Sequence, residues 1–501
     1  MSSKHAIPVR GLVTTSRSPT FTGRFGRMFR SLPPAFGQKN EQSVIANLAE
    51  LGDAMSSDFD PPKDGKDEEE SGIPSLYTYF GQFIDHDLTF DPASSLQKQN
   101  DPDALTDYRT PAFDLDNVYG RGPDDQPYMY EGELFLLGSN LQGGDANAKD
   151  LTRNSLGRAL IGDPRNDENS IVSQLQGLFQ RFHNRFRTEN PTLSFSEVQQ
   201  AVRFHYQYVV LNDFLSRIIH STVFPDLKEG QKWSKNKLKF FHWKNEPFMP
   251  VEFSVAAYRF GHSMVRPAYR LNDSTLVPIF PIPDQGFPEG LTGFRPMISS
   301  WGIDWGRFID IDSRVYDGTE EENRKRLQFA YRIDSSLVNP LHGLPPAVAA
   351  KPSSLAQRNL ERAYRLGLPS GQDVARKMGV PVLQDTEIVL GKAVDVESPK
   401  KVTIGDIAGG AFKGNCPLWT YILAEAMRYK EPVSIPTEKS ITVQTPQLGP
   451  VGGRIVAEVF LGLMFGDPHS MLSLSPDWCP KGRPNYALRD FVHYALGHNQ
   501  S

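Results

Sequence analysis

Cysteine is nearly absent: Cys416 and Cys479 are the only two in 501 residues. Two cannot form a disulfide framework, and neither lies in a C-x-x-C or C-x-x-C-H pattern, which excludes a redox dithiol and c-type haem attachment. A single bridge between them stays open. No run of about 18 apolar residues occurs, so no membrane span is expected. Basic excess is also missing. The net charge is −5, and the chain as a whole offers no footprint for nucleic acid. No internal repeat stands out on a period of about 20–50 residues. The start, Met1-Ser2-Ser3-Lys4-His5-Ala6-Ile7-Pro8, lacks the apolar stretch of a secretory signal. A cytoplasmic location is the default expectation, with leaderless export open. Oligomeric state is not legible.

Helical periodicity is abundant. Residues 1–45, rich in Arg, Ser, Pro and Gly with Arg24, Arg27 and Arg30 among aromatics, are expected to form an extended arm, and residues 46–501 one large domain. The acidic stretch 58–72 is expected to be a mobile loop. Ser194 and Glu197 form a capping box that opens a helix running towards Ile219. Residues 356–366, 417–427 and 453–465 have the pattern of further helices, the second entered through Pro417 in its first turn. Strand signals are few and short, at 386–390 and 440–443. The fold class expected is mainly α, a single large helical domain with long loops.

Five clusters carry chemistry. In Gly81-Gln82-Phe83-Ile84-Asp85-His86-Asp87-Leu88, Gln82 and His86 share one face of a helix whose apolar residues are Leu76, Phe80, Phe83, Ile84 and Leu88. Burying such a polar group costs several kcal/mol unless each member is paired, so a purely structural helix would seldom hold it. Arg165 and Glu168 would share a face if helical, a spacing more often found in a surface ion pair. His262 follows Gly261, which would let a flat ligand approach the backbone. As a lone residue it is as readily a core histidine as a metal ligand. Asn359 and Arg362 lie one turn apart in what could be an ordinary charged helix. Thr110, Asp114 and Asp116 supply hard oxygen ligands of the kind Ca²⁺ prefers, without EF-hand spacing; a solvated acidic turn fits equally well, and Asp87 is a candidate additional donor.

Together, these motifs resemble the haem peroxidases of the peroxidase–cyclooxygenase superfamily, in particular its animal-type, myeloperoxidase-like members and their bacterial relatives. The similarity runs from about Ile73 to Gly466, through Gly-Gln-Phe-Ile-Asp-His-Asp, Asp-x-Asp-x-Val-Tyr-Gly, Arg-x-x-Glu, Arg-Phe-Gly-His and Asn-x-x-Arg in that order. The resemblance implies haem b, with His262 as the proximal iron ligand and Asn359 bonded to its other ring nitrogen. It implies His86 as the distal base towards H₂O₂, Arg165 as the charge beside it, and Gln82 as the organiser of water or halide. Arg259 and Arg362 correspond to propionate partners, and Asp85 and Glu168 to carboxylates that esterify haem methyl groups. Calcium is implied at Asp87, Thr110, Asp114, Asp116 and the Ala112 carbonyl.

The implied activity is reduction of H₂O₂ with oxidation of phenols, halides or thiocyanate. Asn169 stands where some members carry a methionine bonded to a haem vinyl, so that third link cannot form and chloride oxidation is not implied. Asp116 replaces a serine, adding negative charge at the calcium site. Fatty-acid dioxygenases of the same superfamily place a radical-forming tyrosine three residues before the proximal histidine. Here that residue is Arg259, and Tyr258 is displaced by about 100° on a helix, which disfavours that alternative. A haem-binding adhesion protein with vestigial activity is the other alternative, and it would not need the His86–Arg165 pair.

Overall fold

The computed structural model describes residues 23–37, 40–89, 106–107, 111–346, 348–349, 351–395, 401–435 and 441–498. Helices dominate it, joined by long loops. The principal ones are α1 (Glu41–Ala54), α2 (Leu76–Leu88), α3 (Ser170–Glu189), α4 (Phe195–Val209), α5 (Leu355–Arg365), α6 (Gly371–Met378), α7 (Leu418–Ala426), α8 (Pro450–Gly466) and α9 (Leu488–Ala495). The strands pair mostly in twos. Those used below are β1 (Gly23–Gly26), β2 (Glu70–Pro74), β3 (Phe329–Tyr331), β4 (Lys430–Ile435) and β5 (Ile441–Pro446), with β2 antiparallel to β3 and β4 to β5. One large apolar cluster extends from Phe25 to Leu496, and a small second one gathers Tyr316, Leu327, Phe329 and Ile435.

Local chemistry explains where these helices lie. Ser194 and Glu197 close the expected capping box at the start of α4. The helical path then continues through a π turn at Val210–Phe214 into Leu215–Ile218, so the expected run to Ile219 contains one widened turn. Asn169 caps α3 by accepting from the Ile171 and Val172 amides, each at 3.0 Å. In α2 most side chains are buried, and Phe83 stacks on Phe179 of α3 with centroids 4.3 Å apart. Only Gly81, Gln82 and Asp85 interrupt that burial, and they lie along one stripe.

Several expectations need correction. The arm boundary at residue 45 falls inside α1, whose Leu48 and Leu51 are fully buried. Phe25, Phe29 and Phe36 join the core, and β1 pairs in parallel with Met249–Pro250. Residues 1–22 lie outside the described residues. The acidic stretch 58–72 is anchored: Asp64 binds Arg270, Asp67 accepts from the Tyr331 hydroxyl at 2.9 Å, Glu69 binds Lys392, and Glu70 is buried between Arg266 and Arg326. Its partners are distant in sequence, which is why the run of charge alone suggested a loose loop. Pro417 is the cap of α7 and precedes its first turn. Of 386–390 only Val389–Leu390 is strand, and the second expected strand is β5. Cys416 and Cys479 are both free, so no bridge joins them.

Candidate active site

His86 lies in the last turn of α2, 4% exposed, with both ring nitrogens engaged. Nδ1 is 2.8 Å from Asn166 Oδ1, and Nε2 is 3.3 Å from Glu168 Oε1. Gln82, one turn earlier, donates its amide to the same Glu168 oxygen and accepts from Asn169 Nδ2 at 3.1 Å. Burial raises the pKa of the Glu168 carboxyl, but the charges of His86 and Arg165 and bonds from His86 and Gln82 outweigh it, leaving Glu168 below its ordinary value. Five polar side chains (His86, Asn166, Glu168, Gln82 and Asn169) therefore form one connected network, as burial demands.

Arg165 sits in the short 3₁₀ turn Pro164–Asp167, brought beside His86 but turned along the end of its helix. Its Nη2 donates to Asp163 Oδ2 at 2.8 Å, to the His86 carbonyl at 3.1 Å and to the Thr89 carbonyl. Arg165 thus satisfies the C-terminal carbonyls of α2, where positive charge is favoured. Asp85, half-buried, accepts from the Thr89 hydroxyl at 3.3 Å.

The second wall is the 3₁₀ turn Ala257–His262. It meets α2 where Tyr258 Oη donates to the Gly81 carbonyl at 3.2 Å. A Cβ on Gly81 would make a tight contact with Phe214, at 3.3 Å, and an ordinary one with the Tyr258 hydroxyl, at 3.9 Å. His262 is half-buried; burial and the neighbouring Arg259 charge hold its pKa down to about 3, so the imidazole is neutral at ordinary pH. Asn359 of α5 places its Nδ2 3.0 Å from His262 Nδ1. An amide turned through 180° occupies the same space, so Oδ1 can equally face the ring and accept from Nδ1–H. Among the described residues His262 Nε2 has no hydrogen-bond partner, and a Cβ on Gly261 would meet nothing within 4 Å. Trp419 of α7 lies edge-on to the imidazole at 6.5 Å and donates to the Arg259 carbonyl at 3.3 Å. Arg259 Nε donates to the Ser254 carbonyl at 3.0 Å, and Arg362 lies half-buried one turn beyond Asn359.

Gln82, Asp85, Arg165, Glu168, Arg259, His262 and Arg362 all retain partial exposure. Sequence reasoning missed Asn166, Asp163 and Trp419. Asn169 had a legible signal, an Asn immediately before a helix. Asn166 had none, because only the tertiary fold brings the 3₁₀ turn to His86.

The expected calcium residues converge as well. Ligand oxygens of Asp87, Asp114 and Asp116 lie within 4.8 Å of one another. Leu115 between the last two has φ +58°, a left-handed turn that lets Asp114 Oδ1 accept from the Asp116 amide at 3.1 Å. Burial, then the Asp116 charge, push the Asp114 carboxyl up to about 8. Ala112 is buried beside them, and Thr110 lies outside the described residues.

Residues 97–287 match the family model described as animal haem peroxidase. Peroxidasin of Drosophila melanogaster is 24% identical over 265 residues, which is 51% of this chain but 16% of that protein, so the chain spans about a sixth of that relative. Among solved structures, peroxidase A of Dictyostelium discoideum superposes with a TM-score of 0.57 at 14% identity, covering 97% of this chain and 96% of that one. A fatty acid alpha-dioxygenase of Arabidopsis thaliana gives 0.54 at 14% identity, over 95% and 78%. At such identities the structural likeness establishes the fold, which both activities share.

Proposed function

We propose that this chain, a member of the haem peroxidase superfamily, reduces H₂O₂ to water and takes the two electrons from small donors: phenols, halides or thiocyanate. The observation that carries the reading is His262. Its imidazole is kept neutral, Nδ1 is committed to Asn359, and Nε2 has no hydrogen-bond partner among the described residues, next to the open space at Gly261. Those are the requirements of a haem-iron ligand. With the Asn359 oxygen accepting from Nδ1–H, the lone pair lies on Nε2 and the ring becomes more basic. Arg259 and Arg362 would hold the propionates. Bound haem supplies the redox chemistry of the iron.

The other residues supply the acid–base and electrostatic parts. His86 takes a proton from the attacking peroxide and returns it to the departing oxygen, a transfer that contributes about 10²–10⁴ in rate. Arg165, fixed by Asp163 beside His86, sets a permanent positive charge near the breaking O–O bond. Gln82, held by Glu168 and Asn169, orders water or halide. Asp85 and Glu168 are the carboxylates that would form haem esters on reaction with peroxide. Asp87, Asp114 and Asp116, with the Ala112 carbonyl and Thr110, fit Ca²⁺, because a cation would offset the repulsion of three clustered carboxylates.

Two substitutions test the reading. His262→Ala should abolish the haem absorption band, whereas His86→Ala should keep it and lose at least a hundredfold in peroxide-dependent oxidation of a phenolic dye. Equal rates for His86→Ala and the parent would refute the role of His86, and oxygen uptake with a fatty acid would favour the dioxygenase alternative. Against that alternative, the Tyr258 hydroxyl is committed to the Gly81 carbonyl. For the ester links, haem should stay with the protein through acid–organic extraction after peroxide treatment, and complete extraction would rule them out.

A further inference from the structure

We infer that Asn166, braced by Gln176, decides which ring nitrogen of His86 carries the proton. The inference deepens the peroxidase reading and rests on it for its functional consequence, though not for its structural content. Asn166 Oδ1 lies 2.8 Å from His86 Nδ1, and Asn166 Nδ2 donates to Gln176 Oε1, also at 2.8 Å. Asn166 and Gln176 are both 0% exposed, so no water competes for these contacts. An amide has one donating and one accepting end. In this orientation the Asn166 amide gives its hydrogen to Gln176 and offers the imidazole its oxygen, so Nδ1 holds a hydrogen and the lone pair of the neutral ring lies on Nε2. Turning both amides through 180° would reverse the direction, and the imidazole tautomer tells the two apart.

On its other side the ring meets Glu168 Oε1 at 3.3 Å, a second acceptor competing for the same proton. That contact is longer than the one to Asn166, and its carboxylate is a third exposed and shared with Gln82. If Glu168 won, the proton would move to Nε2 and the lone pair would turn inward to the fully buried Asn166. A base of that form could not accept a proton from anything entering beside Gln82 and Glu168. Asn166 is thus a positioning residue: it touches no reactant, and it aims the basic nitrogen of His86 towards the accessible side.

The tautomer can be read directly. Two-bond ¹H–¹⁵N correlation spectra of histidine-labelled protein, haem-loaded in the diamagnetic ferrous carbonyl state, report which nitrogen of each imidazole is protonated. The His86 signal is identified by its loss in His86→Gln. With the ring neutral the parent should show Nδ1–H. Asn166→Asp preserves the acceptor and should keep that form. Asn166→Ala should convert His86 to Nε2–H and slow the bimolecular reaction with peroxide at least tenfold at unchanged haem content. An Nε2–H ring in the parent, a ring that keeps both hydrogens throughout, or an Asn166→Ala protein with the parental tautomer would each overturn the inference. Should Asn166→Ala not fold, the parent and Asn166→Asp spectra still decide it. A chain that does not bind haem is measured haem-free: Nδ1–H there, without peroxide turnover, would sink the peroxidase reading and leave the tautomer assignment standing.

Discussion

Glu70 opens β2, the strand that runs into α2, and Arg266 closely follows His262. Their ion pair therefore joins the segments that carry His86 and His262, the two walls of the candidate site. Glu70 Oε1 accepts from Arg266 Nη1 and Arg326 Nη1, both at 2.6 Å, and Oε2 from Arg326 Nη2 at 2.8 Å. All three residues are buried, at 2%, 4% and 2% exposure. Removing one partner of a buried pair costs about 3–5 kcal/mol, because it strands charge away from water. Here Arg266 would retain the Phe329 carbonyl, and Arg326 the carbonyls of Tyr316 and Gly65, so the lower end applies and Glu70→Ala should cost about 3 kcal/mol. Denaturant unfolding of the haem-free variant measures this term, and haem retention in the loaded variant measures the coupling. Pairing Glu70→Ala with Arg326→Met should cost less than the sum of the two single changes, since the second removes a charge the first left stranded. A loss under about 1 kcal/mol would refute the energetic argument. A destabilised variant with undiminished haem affinity would refute the claim that this triad joins the two walls.

Two further outcomes follow from buried titrating groups. Asp114, raised to about 8, keeps its proton in the metal-free fold while the unfolded chain gives one up near pH 4, so stability should fall as pH rises through that window. Calcium would offset this penalty, so a chelator should lower the melting temperature more at about pH 8 than at about pH 5; equal shifts, or none, would argue against the site. Burial holds His183 and His205 down to about 4, whereas an unfolded histidine titrates near 6.5. The unfolded chain then takes up protons first as pH falls from 6.5 towards 4, and each group should withdraw roughly 3 kcal/mol of stability. His205→Phe, placed among Phe182, Trp478 and Tyr486, should flatten that acid limb, and an unchanged limb would refute the assignment.

What could be read from the sequence alone was whatever a single helical turn fixes. Gln82 and His86 share a face because four residues make about one turn, and Asn359 and Arg362 do so for the same reason. The capping box at Ser194 and Glu197 was legible on the same grounds, because it is closed by neighbours in the chain. The π turn after α4 was not. It carries Asp213, which accepts from the Tyr77 hydroxyl and from the Leu488 amide at the start of α9, and those partners lie far away in sequence. The acidic stretch failed as a loop for this reason too: nothing near Glu70 announces Arg266 or Arg326.

The site divides along the same line. A buried polar group must find a partner, so a periodic apolar helix that carries His86 announces that a partner exists. It cannot announce which one. The contacts that fix the chemistry, His86 to Asn166, Gln82 to Glu168 and His262 to Asn359, each cross between elements whose relative placement is a property of the whole core. Family resemblance anticipated the last of these contacts. It was silent on Asn166, where the reading had to wait for the 3₁₀ turn to be placed against α2. Cross-element polar contacts within a buried core are therefore where a structure adds most to a sequence, and the direction of the Gln176–Asn166–His86 chain belongs to that class.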